Sequence, residues 1–385
     1  VLVCGFLAFH GFRRIYAIVS AGQPSYRTDH LPQRLTKALI EVGFQKPLFK
    51  SRPVVSFFHA FIFFGFSFYL LVNVNDLLEA YVDGWTTIGS SHPLAQAFNL
   101  FSDLFSIFVL VGIVYFLIRR FIGKPKVFEF NSNVKLQPAV AEGGIRQDSL
   151  IVGTFIILHV GSRWMGTAFH LAEREMTQWS MPTASLIAPY FAGWSGLETG
   201  IHVTWWLTMG LIVIFLPYFP RSKHIHIFLA PLNLAFVNRE AKGKLTDPQD
   251  SSKPGAAMLE ELPWKQVFDS YACIMCTRCH EVCPAHQSGT PLSPSALEIN
   301  KRYFINQNAA AMARGETKLD LLKEAISEDA VWSCTTCMAC VEVCPVGNEP
   351  MLDILEIRRK LVFDAQMPDE LSDALRSLDE QGNSF

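Results

Sequence analysis

The sequence predicts an all-α chain: a membrane bundle of five transmembrane helices, then a mainly α-helical, cysteine-rich domain. Three observations predict it. Half of the 385 residues are hydrophobic and 18% are charged, against roughly a quarter charged in soluble domains. The apolar residues crowd into the first 220 positions, in runs long enough to cross a bilayer. Eight of the nine cysteines lie between 273 and 344. This composition excludes a disordered chain, a collagen-like chain and an ordinary soluble domain. The net charge of −2 leaves no electrostatic footprint for nucleic acid. The cysteine clustering favours metal ligation over a secreted disulfide framework.

The first apolar run, 1–12, stops at Arg13 and Arg14. A span needs about 20 residues, so the sequence is read as beginning inside its first transmembrane helix, with no complete signal peptide. Four further runs, 53–74, 97–117, 149–172 and 194–219, are long and apolar all round. Eight Lys/Arg residues lie between Arg13 and Arg52, none in 76–96, six in 119–149, and only Arg174 in 173–193. The positive-inside rule therefore places the first and third loops and the C-terminal part in the cytoplasm, and the N-terminus outside.

Histidines occur in or near the runs at 10, 59, 159, 170, 202, 224 and 226. An ionisable residue in a membrane is a functional candidate by default. Neutral imidazoles from facing helices suit the two axial positions of a haem. His59 lies about 9 Å into its helix at 1.5 Å per residue. His224 and His226, placed at the same end of the fifth run, share its level. His170 and His202 share the opposite level, about 27–30 Å away. The expected haem b pair is His59 with His226 or His224; His170 and His202 are candidates for a second haem or a quinone site. Glu198 with His202 and His159 with Arg163 are i, i+4 pairs on one helix face. Glu198 and Arg163 are thus candidate contacts for haem propionates or a quinone.

The apolar membrane domain is taken as 1–228. A polar stretch with Asp-Ser-Ser-Lys-Pro-Gly at 250–255 marks a linker over 229–263. Helical patterns at 294–306, 319–327 and 351–365 come next, with no alternating strand, giving a domain over 264–365. Residues 366–385 are read as the start of a further C-terminal region.

Cys273, Cys276, Cys279 and Cys283 are spaced C-x2-C-x2-C-x3-C before Pro284. Cys334, Cys337, Cys340 and Cys344 repeat the spacing before Pro345. Three thiolates at this spacing reach three irons of one cubane, and the fourth ligates the other cluster. The expected sets are Cys273, Cys276, Cys279 and Cys344 for one [4Fe–4S] cluster, and Cys334, Cys337, Cys340 and Cys283 for the other. A structural zinc site would use two ligand pairs and no fourth cysteine before proline. Cys4, in the first apolar run, is read as packing.

The membrane half, through Ser56-Phe-Phe-His59 and Pro220-Arg-Ser-Lys-His-Ile-His226, resembles the gamma-type haem b subunit of respiratory nitrate reductases. The second half is similar to heterodisulfide-reductase-type ferredoxin domains, through the stretch from Cys279 to Pro294 and that from Trp332 to Pro345. The fusion resembles the membrane-bound electron-transfer-flavoprotein:menaquinone oxidoreductases. That resemblance implies a quinone-linked oxidoreductase of a bacterial or archaeal cytoplasmic membrane. Electrons would pass from an electron-transfer flavoprotein, or another cytoplasmic redox partner, through two [4Fe–4S] clusters and haem b to menaquinone. Where the nitrate reductase pattern carries the ligands of a second haem, this sequence has Tyr69 and Thr208. Two other roles fit the same residues. One is a quinol-oxidising module feeding a heterodisulfide- or sulfur-reducing partner; the other is a non-catalytic relay and anchor subunit of a larger respiratory complex.

Overall fold

The computed structural model describes residues 1–25, 27–238 and 252–384. Among them it is helical throughout, with no strand and two isolated β-bridges. Five helices are long and apolar enough to cross a membrane: span 1 Leu2–Ser20, span 2 Pro53–Tyr81, span 3 Pro93–Gly123, span 4 Gly144–Glu173 and span 5 Leu197–Phe215. Span 1 runs unbroken past Arg13 and Arg14, so the apolar run understated its length. Proline opens spans 2 and 3, where its missing N–H costs nothing and its fixed φ suits a first helical turn.

The chain divides into two compact units. The first comprises Val1–Gly11, Leu48–Lys126 and Ile145–His224. Spans 2 and 3 pack as an antiparallel pair, with Phe58 stacked on Tyr115 at 3.9 Å. Glycine makes this approach possible: a Cβ on Gly112 would stand 2.9 Å from the Phe58 carbonyl oxygen, and one on Gly65 would strike Val109.

Several polar side chains inside these spans find partners on neighbouring segments. Tyr69 of span 2 shares a 2.7 Å hydrogen bond with Ser106 of span 3. His159 of span 4 lies 3.0 Å through Nδ1 from the Thr208 carbonyl oxygen of span 5, which can only accept, so Nδ1 carries the proton. Arg163 of span 4 grips both carboxylate oxygens of Asp76 of span 2 at 3.3 Å. Asp103 of span 3 accepts from the amides of Thr183 at 2.7 Å and Ala184 at 3.1 Å, in the first turn of helix Pro182–Ile187. In hydrocarbon no water can replace such partners.

The second unit comprises Phe12–Pro47, Val127–Gly144 and Ile225–Phe385. Its first segment begins inside span 1, and the other two follow spans 3 and 5 in the chain. His226–Ala235 is a separate ten-residue helix, whereas the sequence reading put His224 and His226 at the end of the fifth span and began a linker at 229. Span 5 in fact ends at Phe215, ahead of a turn-rich stretch through Ser222. The rest of the expected linker, 239–251, lies outside the described residues. Helix Leu31–Gly43 is fastened to His226–Ala235 by Arg34, which donates to the carbonyls of Ala235 at 3.3 Å and Val237 at 2.9 Å. The 127–144 segment is fastened through Asn131 to His286 O, Asn133 to Gly289 O, and Lys135 to Leu322 O, at 2.7–3.1 Å. Pro294–Ala313 and Pro350–Phe363 extend the helical patterns seen in the sequence, and Asp369–Gln381 is a further helix.

Removing one partner of a buried ion pair costs about 3–5 kcal/mol, because the other charge is left without compensation. Asp76→Ala is therefore expected to lower the thermal unfolding midpoint in detergent sharply. The double variant Asp76→Ala with Arg163→Met is expected to recover most of the loss, as read by near-UV circular dichroism.

Candidate metal centre

Each cysteine run is wound by the same backbone device. Met275 and Thr277 in the first run, and Thr336 and Met338 in the second, have φ between 54° and 64°. This left-handed conformation is costly for side chains other than glycine, and it persists only where the surroundings impose it. In the first run the turns bring Cys273, Cys276 and Cys279 to the wall of one cavity. Short helices Arg278–Glu281 and Ala339–Glu342 then lead to the fourth cysteine.

The fourth cysteine joins the opposite run. One cavity, about 370 Å³ including its open mouth, is lined by Cys273, Cys276, Cys279 and Cys344, with Arg278, Ser295 and Glu298 in its wall. Cys340 also reaches this wall. The second group is Cys283, Cys334, Cys337 and Cys340: burial and then the neighbouring Cys334, Cys283 and Cys337 push the Cys340 thiol far up. Burial, followed by Cys276, raises Cys344 to about 12. Cys337 is exposed and differs, since the Ala339 amide holds its thiol below the ordinary value.

These residues fit an iron–sulfur group. Backbone amides point at sulfur, Asn348 N to Cys344 Sγ at 3.2 Å and Thr336 N to Cys334 Sγ at 3.4 Å; such bonds favour the thiolate and tune cluster potential. The buried Ser295 hydroxyl in the cavity wall has no hydrogen-bond partner among the described residues. Among those residues, no three His, Cys, Asp or Glu side chains converge as ligands of a single ion.

A network of buried charge supports the first cavity, and nothing in the cysteine spacing announced it. Asp269, fully buried, accepts from Lys265 Nζ at 2.7 Å, Asn233 Nδ2 at 2.7 Å and Glu349 N at 3.1 Å. Lys265 also reaches Glu349 at 3.4 Å, which Arg27 meets from the other side at 3.3 Å. Lys301 pairs with Asp353 and, at 3.2 Å, with Glu298. Burial pushes Glu298 up to about 8 and Asp353 to about 6, against the pull of Lys301. The i, i+4 pair Lys265–Asp269 was a readable signal of this network. A second missed feature is the buried stack of His280 on His286, with centroids 4.4 Å apart. His280 Nε2 lies 2.9 Å from the Val127 carbonyl oxygen.

His59 is half-buried in the first unit, and His226 is half-buried in the second. His224 is enclosed by the ring edges of Phe66, Phe215 and Phe219 at 5.3–5.7 Å. His170 is half-buried, 3.9 Å from Glu173, while His202 and Glu198 are exposed on span 5. Arg163 is engaged by Asp76. Between Tyr69 and Thr208 stands one imidazole, His159, with its ring 5.8 Å from that of Tyr69. These residues do not fit a porphyrin at that place.

Residues 269–348 match the 4Fe-4S dicluster domain family. The chain is 28% identical to the "Probable iron-sulfur-binding oxidoreductase FadF" of Bacillus subtilis, over 96% of the chain and 56% of that protein. It is 24% identical to the "EtfAB:quinone oxidoreductase" of Syntrophomonas wolfei, over 94% of the chain and 53% of that protein. A "Probable membrane-anchored ferredoxin" of Chromohalobacter salexigens is 31% identical over 36% of the chain and 25% of its own length. The chain thus spans about half the length of the first two relatives. No solved structure matches it. The similarities support an iron–sulfur redox protein with electron transfer through 4Fe-4S centres.

Asp269→Asn removes the charge that Lys265 and the Glu349 turn share while keeping the side chain's shape. The expected loss is about 3 kcal/mol or more, from an uncompensated buried charge. Chemical denaturation of the purified protein, followed by tryptophan fluorescence, checks it.

Proposed function

We propose that this chain carries electrons from a soluble donor, an electron-transfer flavoprotein, to a quinone in the membrane. The observation that carries the reading is the cavity where Cys344 meets Cys273, Cys276 and Cys279, in a chain whose other half supplies five helices of spanning length. The relatives named for iron–sulfur oxidoreductase and EtfAB:quinone oxidoreductase activity support it. In this reading Cys273, Cys276, Cys279 and Cys344 hold one [4Fe–4S] cluster, and Cys334, Cys337, Cys340 and Cys283 hold the other. His59 and His226 hold a haem b, with His224 as the alternative to His226. The clusters and haem, when bound, supply one-electron redox chemistry; the protein supplies position, burial and field.

The chain's own residues have definable tasks. The left-handed turns and the amides of Asn348 and Thr336 fix the sulfurs. Asp269, Lys265 and Glu349 lock the Cys273 and Cys344 segments together. The five spans supply access to lipid and its quinone. The positive-inside loops put the cysteine domain on the cytoplasmic side and the N-terminus outside. His170, His202 and Glu198 remain candidates for quinone contact on the other side.

The test is electron transfer by the purified full chain in detergent. Reduced electron-transfer flavoprotein should be reoxidised only when a soluble menaquinone analogue is added, with bleaching of the b-type absorbance. A protein that shows no b-type absorbance sinks the haem assignment. Intact iron with no quinone-dependent turnover would sink the quinone reading. Cys344→Ser is expected to deplete the cluster of the first cysteine run, although Cys344 belongs to the second. Iron and acid-labile sulfide analysis, with electron paramagnetic resonance, checks that.

A further inference from the structure

Several buried charges around the first cavity are paired: Lys265 meets Asp269 and Glu349, Arg27 meets Glu349, and Lys301 meets Asp353 and Glu298. Arg278 also lines this cavity.

Arg358, in helix Pro350–Phe363, is differently placed. It donates to the carbonyl oxygens of Val331 at 2.7 and 3.0 Å, Trp332 at 3.1 Å and Cys334 at 2.5 Å. Its guanidinium also lies over the Trp332 ring, 5.5 Å from the centroid. Among the described residues no carboxylate is its partner. It is half-buried, and a guanidinium stays ionised in proteins. A full positive charge, answered only by neutral dipoles, is therefore held against the backbone of Cys334.

We infer that Arg358 raises the reduction potential of the site formed by Cys283, Cys334, Cys337 and Cys340. The inference rests on the iron–sulfur reading of the two sites. Adding one electron to a thiolate-ligated cluster adds one negative charge, with no bond made or broken. A fixed cation nearby lowers the energy of the reduced form. Solvent acts in the same direction: Cys337 is exposed, whereas no cysteine of the first set is. Arg358 also caps the C-terminal carbonyls of helix Glu328–Trp332, a purely structural task that any good donor could share. The potential separates the two roles.

The experiment is a redox titration of the purified full chain, followed by electron paramagnetic resonance, with iron and sulfide assayed in each variant. Cys337→Ser identifies the signal of the second site. Arg358→Gln keeps a donor and loses the charge; Arg358→Lys keeps the charge and loses the fork. The Gln variant should move the Cys337-sensitive signal to lower potential and leave the other in place. The Lys variant should return the Cys337-sensitive signal most of the way to its wild-type potential. Should Arg358→Gln lose iron, Arg358→Met is titrated in its place under the same expectations. Iron-replete variants whose two potentials stay fixed, or shift together, overturn the inference alone. A Lys variant that shifts as far as Gln does so too. Wild-type protein without iron overturns the iron–sulfur reading and this inference with it.

Discussion

A single buried carboxylate holds the cysteine domain together. Asp269 sits in the last turn before Cys273, and three pieces of chain converge on its two oxygens. Lys265 belongs to its own helix, Asn233 to the helix that His226 opens, and the Glu349 amide to the turn after Cys344. That carboxylate joins the segments carrying Cys273, Cys344 and His226 at one point, and Asn233 and Asn348 add bonds of their own between them. Burying it is expensive, and three donors offset the cost. The meeting of Cys344 with the first cysteine run is the visible result.

The membrane half solves a different problem with the same economy. Its helices are apolar on all faces, so hydrophobicity alone cannot say which face meets which. The directional information lies in a few polar groups. Tyr69 finds Ser106, His159 finds the Thr208 carbonyl, Arg163 finds Asp76, and Asp103 closes the start of helix Pro182–Ile187. Each pair joins two segments, and together they tie spans 2 to 5. Of these, Arg163 and His159 were singled out in the sequence, and a packing role accounts for both as they stand.

The sequence carried the local information well. Helix lengths, the absence of strands among the described residues and the grouping of cysteines derive from periodicity and spacing, which are short-range properties. The approach of Cys344 to Cys273 was readable because cluster chemistry dictates it from spacing alone. The unreadable part is long-range. Arg27 meets Glu349 and Arg34 meets Val237 across 322 and 203 residues, and no local pattern marks such pairs. The units divide at Ile225, close to the expected 228, while helix His226–Ala235 is apolar like a membrane segment and its Asn233 reaches Asp269. Charge runs also concealed burial, since Lys265 and Lys301 look like surface residues until their carboxylate partners are seen.

The second unit is assembled from three stretches of chain: the first begins at Phe12 inside span 1 and runs to Pro47, and the others follow spans 3 and 5. On the ribosome these pieces emerge far apart in time, with whole helices between them. The domain's defining contacts are therefore of very high contact order, and its closure awaits the last stretch. The 127–144 segment exists long before its partners His286 and Leu322 are made. A chain that lacks either early stretch lacks part of the fold that surrounds the cysteines.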